Sequence, residues 1–136
     1  MFRLFLLVAL ASIATAQDLG RDFGLSLLVN VPSPPIPVRA DGKDILVYEL
    51  HVVAAYKPVH LLKVEVWGST RIAVVEGEGL AHSIKHSADR GLVSATIAAG
   101  NHAVIWMFVP TEKAPDYIHH LLTGTLGDDP EPALRA

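Results

Sequence analysis

The sequence predicts an all-β protein, and two observations lead to this prediction. Apolar and polar side chains alternate at a period of two residues in the longest runs, Ile45–Ala55 and Val59–Trp67, which is the pattern of antiparallel strands with one buried face. Shorter apolar runs, separated by turn residues, follow along the chain. About seven strands with one short helix between them predict an immunoglobulin-like antiparallel β-sandwich.

The two longest runs are expected to pair as a hairpin around Tyr56-Lys57-Pro58. The turn Ala40–Lys43, which contains Asp-Gly, leads into the first of them. A period of two places one face of each run in the core. The residues predicted to face the core are Leu46, Tyr48, Leu50 and Val52 in the first run, and Leu62, Val64 and Val66 in the second.

The remaining elements follow from shorter patterns. His102–Val109 is the most apolar run after the N-terminal segment, so it is predicted to be a central strand with Trp106 in the core. The spacing of Leu80 and Ile84 predicts a short helix over Leu80–His86. The four prolines of Pro32–Pro37 predict an extended edge segment that crosses between the sheets. Further strands are predicted over Phe23–Val31, Arg71–Glu76, Leu92–Ile97 and Asp116–Thr125.

The N-terminal segment, Met1–Ala16, has the three parts of a secretory signal peptide: a basic Arg3, the apolar run Leu4–Ala11 and a small-x-small cleavage site. The apolar run is shorter than the roughly 18 residues that cross a bilayer, so no membrane span is expected after signal removal. The mature protein is then expected to begin at Gln17, with one sandwich domain over 17–126 and a disordered tail over 127–136. The expected location is periplasmic or extracellular.

The composition and motifs argue against several functional classes. The 14 acidic residues outnumber the 11 basic ones, so no basic surface for nucleic acid is expected. The chain has no cysteine, which excludes thiol catalysis and disulfides. No serine lies in a Gly-x-Ser-x-Gly context, and no phosphate-binding loop is present. We therefore expect a protein that is not an enzyme and that carries no cofactor.

Histidines are the unusual feature of the composition, with seven in the chain. His82 and His86 are four residues apart and would share one face of the predicted helix, a spacing used by metal ligands. A third ligand would come from Glu76, Glu78 or Asp89, and the alternative is that both histidines are ordinary exposed side chains. Two further pairs are less suggestive: His51 and His60 flank the predicted hairpin and are interpreted as core-edge residues, and His119 and His120 point to opposite sides of one strand.

Among the aromatic residues, Tyr56 and Trp67 are the better candidates for an exposed binding contact, because Trp67 ends a strand and Tyr56 lies in the opposing turn. Capping of the core is the alternative interpretation for this pair.

Several motifs together resemble a domain of exported bacterial proteins that precedes a lysostaphin-type zinc peptidase domain. The resemblance covers about Val31 to Thr123. It rests on Pro34–Pro37, Val38–Gly42, Leu46–His51, Lys63–Val66 and Ala98–Val104. It implies an exported accessory module, with hydrolysis performed by the peptidase domain, which we expect to be absent from this chain. The sequence contains no His-x-His motif, so no catalytic zinc ligand is carried over.

Two functional hypotheses follow. The first is an exported non-catalytic accessory or binding module whose partner is another protein, such as a zinc peptidase domain, or a cell-envelope polymer. The alternative is a periplasmic metal-binding protein that uses His82 and His86.

Overall fold

The structure is a computed structural model that describes residues 26–129 and 134–135. The predicted signal peptide, Met1–Ala16, lies outside the described residues. The described residues form ten strands and one short helix. In chain order they are β1 (Leu27–Asn30), β2 (Ile36–Ala40), β3 (Lys43–Ala54), β4 (Val59–Trp67), β5 (Arg71–Glu76), α1 (Gly77–Ser83), β6 (Ile84–His86), β7 (Thr96–Ile97), β8 (His102–Thr111), β9 (His119–Leu126) and β10 (Leu134–Arg135).

The strands form two antiparallel sheets. In the first sheet β1 and β2 both pair with one edge of β3, and the order continues through β8 to β6. In the second sheet the order is β10, β9, β4 and β5, with β7 also paired with β4. This is the strand order of an immunoglobulin sandwich, A-B-E-D facing G-F-C-C′, with a divided first strand. The predicted all-β sandwich with one short helix is confirmed.

The core lies between the inner faces of the two sheets, as the period-two pattern predicts. Every residue predicted to face the core in the first long run is buried, and so are Val64 and Val66 in β4. β8 lies between β3 and β6, which confirms that it is a central strand. Its core residues are Ala103, Ile105, Met107 and Val109.

The predicted hairpin between the two long runs is wrong. β3 belongs to the first sheet and β4 to the second, so Tyr56-Lys57-Pro58 carries the chain from one sheet to the other. The proline segment does not make such a crossing. β1 pairs with His51–Ala54 and β2 with Lys43–Val47, so the prolines join two short strands along the same edge of β3.

A β-bulge changes the direction of the side chains in β4. The pairing of β4 with β9 shifts between Leu61 and Lys63, and a bulge reverses the alternation of faces. Leu61 is consequently buried, whereas Leu62, predicted to be a core residue, is 38% exposed. Val64 and Val66, beyond the bulge, face the core again.

Three shorter elements differ from the sequence-based expectations. The helix covers Gly77–Ser83, and Ile84–His86, predicted to be its second half, is strand β6. Within Leu92–Ile97 only Thr96–Ile97 is a strand. Leu134–Arg135, in the segment predicted to be disordered, pairs with Thr123 and Gly124 of β9. Within residues 26–129 and 134–135 no helix has the length and apolar character needed to cross a membrane.

Candidate functional site

The structure does not bring Tyr56 and Trp67 together. Tyr56 precedes β4 and Trp67 ends it, and the nine residues of this strand separate its two ends by roughly 26 Å. Tyr56 is 72% exposed. Trp67 is half-buried and stacks on His119, with ring centroids 6.4 Å apart. The two aromatic side chains therefore do not form a common binding surface.

His82 and His86 are also separated, because the helix ends at Ser83. His82 is exposed on α1, whereas His86 is buried and its Nε2 donates a hydrogen bond to the carbonyl of Ser94 at 2.8 Å. None of the three predicted additional ligands, Glu76, Glu78 and Asp89, completes a metal site with these histidines. Among the residues that the structure describes, no group of three or more His, Cys, Asp and Glu side chains is arranged to hold a metal ion.

A different histidine pair is brought together on the outer face of the first sheet. His51 lies on β3 and His60 on β4, which belong to different sheets. His51 instead contacts His102 of β8, with 3.2 Å between Nδ1 of His51 and Nε2 of His102. At the two ends of this pair, Glu49 accepts a hydrogen bond from His51 at 2.8 Å, and Ser87 contacts Nδ1 of His102 at 2.8 Å.

With an ionised Glu49 and two neutral rings, the hydrogen bonds of this chain of four side chains all run in one direction. An ionised carboxylate only accepts, so Nε2 of His51 is protonated and its Nδ1 is an acceptor when the ring is neutral. Nε2 of His102 then donates to His51, and its free Nδ1 accepts the hydroxyl proton of Ser87. Glu49 therefore fixes the tautomers of both His51 and His102.

The same outer face carries a group of exposed and half-buried apolar side chains, which we call the apolar face. Ile36 is paired with Val47, and Val47 with Phe108, so these three side chains form a row across adjacent strands. Ile36 is 64% exposed and Phe108 62% exposed. The full apolar face consists of Ile36, Val38, Val47, Val104, Trp106 and Phe108.

Trp106, predicted to be in the core, is 40% exposed on this face. Its neighbours Ile105 and Met107 are the core residues, because successive side chains of a strand point to opposite faces. Two shallow cavities adjoin the indole ring. One, of about 260 Å³, lies beside the proline segment, and the other, of about 410 Å³, is lined by Lys85 and Arg90.

A buried polar contact joins the two sheets directly beneath this face. The side chain of Tyr48 points inward from β3, and its hydroxyl lies 2.7 Å from Nε2 of His120 on β9. Burial raises the pKa of Tyr48 above its usual range, so the phenol remains a donor. Burial, together with the nearby His119, lowers the pKa of His120 to about 4. His120 is therefore a neutral acceptor near pH 7, and His119 points to the other side of the strand, as predicted.

The sequence contains a signal for the apolar face in the strand that carries Trp106, although this residue was expected to lie in the core. His102–Val109 is apolar at almost every position, whereas a strand with one solvated face normally alternates. The unbroken run therefore marks a strand whose outer face is also apolar. The pairing of His51 with His102 has no comparable signal, because the two residues are 51 positions apart.

Comparison of the chain with protein-family models, with curated proteins and with solved structures found no significant match.

Proposed function

We propose that this protein is an exported, non-catalytic binding module that docks on another protein through the apolar face of its first sheet. The observation that carries the proposal is the row Ile36, Val47 and Phe108 with Trp106 beside it. Contiguous exposed apolar side chains of this size are a feature of interaction surfaces. Export is supported by the signal-like pattern of Met1–Ala16.

A partner that covers this row would gain hydrophobic free energy from the burial of its exposed side chains. Complete burial of a large apolar side chain contributes about 1.5–3 kcal/mol, and Ile36 and Phe108 still expose more than half of their surface. Aromatic side chains surrounded by aliphatic ones are typical of the centre of protein–protein interfaces. Lys85 and Arg90, which line the adjoining cavity, provide a polar rim.

The outer face of the second sheet is a weaker candidate. Its central residue, Glu65, is 4% exposed and is ion-paired with Arg71 at 3.2 Å and with Lys63 at 3.5 Å. Val74 and Leu62 are exposed there, but Val74 pairs directly with Glu65 and Leu62 is separated from Glu65 along β4 by Lys63. The second sheet therefore lacks a continuous apolar row.

The resemblance to domains that precede lysostaphin-type zinc peptidases suggests the class of partner. A peptidase domain of that kind offers a folded surface against which an apolar sheet face can pack. A cell-envelope polymer is the alternative partner, and it would use Trp106 for stacking and leave Ile36 and Val38 exposed.

Chemical-shift mapping tests the proposal and separates these partners. The ¹⁵N-labelled protein is titrated with a lysostaphin-type peptidase domain from the same organism and, separately, with soluble peptidoglycan fragments. We expect the peptidase domain to shift amides of β2, β3 and β8, with β4 and β5 as the internal control. Shifts confined to Trp106 and its neighbours with peptidoglycan would support the polymer instead. Shifts confined to β4 and β5, or none with either probe, would contradict the proposed surface.

A further inference from the structure

The histidine pair on the outer face of the first sheet has the geometry of a metal site. We propose that His51 and His102 together bind one divalent transition-metal cation of the Zn²⁺ or Cu²⁺ type. This inference does not depend on the proposed docking function, because it concerns the nitrogen atoms of two side chains and not the apolar row.

The spacing of the two facing nitrogens is the first argument. Nδ1 of His51 and Nε2 of His102 are 3.2 Å apart. Two imidazole nitrogens bound to one cation at about 2.1 Å each are separated by roughly 3.0–3.4 Å for angles between square and tetrahedral. The two rings are tilted by 44° with their centroids 5.1 Å apart. A cation about 2.1 Å from both nitrogens would lie to one side of the line that joins them, with the strands in their present positions.

The groups behind the two rings are the second argument. A histidine ligand usually uses its other ring nitrogen to donate to a carboxylate, a carbonyl or water, which fixes the ring and raises its basicity. Glu49 occupies this position behind His51 at 2.8 Å, and Ser87 occupies it behind His102 at 2.8 Å. Glu49 thus already accepts the hydrogen bond that a ligating His51 donates, and the Ser87 hydroxyl is placed to accept one from a ligating His102.

Binding needs only a change of tautomer at His102. In the absence of metal the proton lies on Nε2 and is donated to His51. To bind the cation through Nε2, His102 carries its ring proton on Nδ1 instead, and this N–H donates a hydrogen bond to the Ser87 hydroxyl oxygen. A hydroxyl group can do either, and His51 keeps its proton on Nε2. No net proton is released by the pair.

The surroundings restrict the identity of the cation. Glu49, Lys85 and Arg90 all line the adjoining cavity, so charges of both signs lie beside the site and the imidazole nitrogens, not a net charge, decide which cation fits. Imidazole nitrogen suits Zn²⁺, Cu²⁺ and Ni²⁺, whereas Mg²⁺ and Ca²⁺ prefer oxygen. Because the described residues contain no third ligand at this position, water completes the coordination shell.

Calorimetric titration of the purified protein with ZnCl₂ and, separately, with CuCl₂ tests the site. We expect one cation per chain for at least one of the two metals. His51→Ala and His102→Ala should each weaken the affinity at least tenfold, whereas His82→Ala, which removes an exposed histidine elsewhere, should leave it unchanged. Circular dichroism checks that the variants are folded, and His51→Gln and His102→Gln replace any alanine variant that is not.

A second measurement reports the tautomer itself. The ¹⁵N resonances of the two imidazole rings should show metal-dependent shifts at Nδ1 of His51 and Nε2 of His102, and Nδ1 of His102 should become protonated. The proposal is overturned if neither metal binds at millimolar concentration, or if both ligand variants bind as tightly as the wild type. Metal-dependent shifts found only on other histidines would overturn it equally.

Discussion

The hydrogen bond between Tyr48 and His120 is expected to stabilise the packing of the two sheets, and Tyr48→Phe tests this. The substitution keeps the ring in the core and removes only the hydroxyl that lies 2.7 Å from Nε2 of His120. The histidine nitrogen is then left as a largely buried acceptor without its donor, which costs about 1–3 kcal/mol. For a domain of this size we expect Tm to fall by roughly 4 °C for each kcal/mol.

The same contact makes stability depend on pH in a defined direction. The unperturbed pKa of His120 is 6.5, and in the folded protein it is lowered to about 4. The unfolded chain therefore binds a proton at a pH at which the folded protein does not, and stability is complete above pH 6.5 and declines as the pH falls toward 4. The full difference corresponds to roughly 3 kcal/mol, and we expect about 2 kcal/mol because the ring retains some exposure.

Urea unfolding of the wild type, Tyr48→Phe, His120→Leu and the double variant at pH 7 and at pH 4.5 measures both effects. His120→Leu should remove the largest part of the acid-dependent loss of stability. The double variant should be more stable than Tyr48→Phe alone, because no polar group is then left without a partner. The reasoning is refuted if the two single substitutions act additively, or if His120→Leu loses as much stability in acid as the wild type.

Two further predictions concern backbone approach and side-chain direction. Gly124→Ala should be strongly destabilising, by about 2 kcal/mol or more, because a Cβ there would lie 2.6 Å from the carbonyl oxygen of His60. The control Gly79→Ala, where nothing lies within 4 Å, should be neutral or stabilising in thermal melts, and equal effects would contradict the close approach. Val64→Asp should unfold the protein or cost several kcal/mol, whereas Leu62→Asp should be tolerated. Similar losses in urea titrations of these two variants would show that the bulge does not reverse the faces.

The fold class could be predicted because it depends on local patterning. Alternation in Ile45–Ala55 and the turn at Asp41-Gly42 are properties of neighbouring residues, and β3 and this turn formed as expected. The sheet to which each strand belongs depends on distant partners. β4 pairs with β9 rather than with β3, and nothing in the period of Val59–Trp67 distinguishes these two possibilities.

The candidate site was harder to predict for the same reason. Glu49, His51, Ser87 and His102 come from three separate segments, and they meet only because β8 pairs with β3 on one side and with β6 on the other. His82 and His86 have a suggestive spacing in the sequence, but the helix covers only Gly77–Ser83. Ile84–His86 instead pairs with Ala103–Ile105 of β8 as a strand, so His86 does not share a helix face with His82.

The central claim is that the apolar face binds the partner, and paired affinity measurements test it most directly. The affinity of the wild type for the lysostaphin-type peptidase domain is compared with that of Ile36→Ser/Phe108→Ser and of the matched control Leu62→Ser/Val74→Ser on the second sheet. Loss of two apolar contacts should weaken binding by about 1.4 kcal/mol or more, which is at least tenfold, and the control should bind like the wild type. Equal affinity of the wild type and the Ile36→Ser/Phe108→Ser variant, or selective loss in the control, would contradict the account.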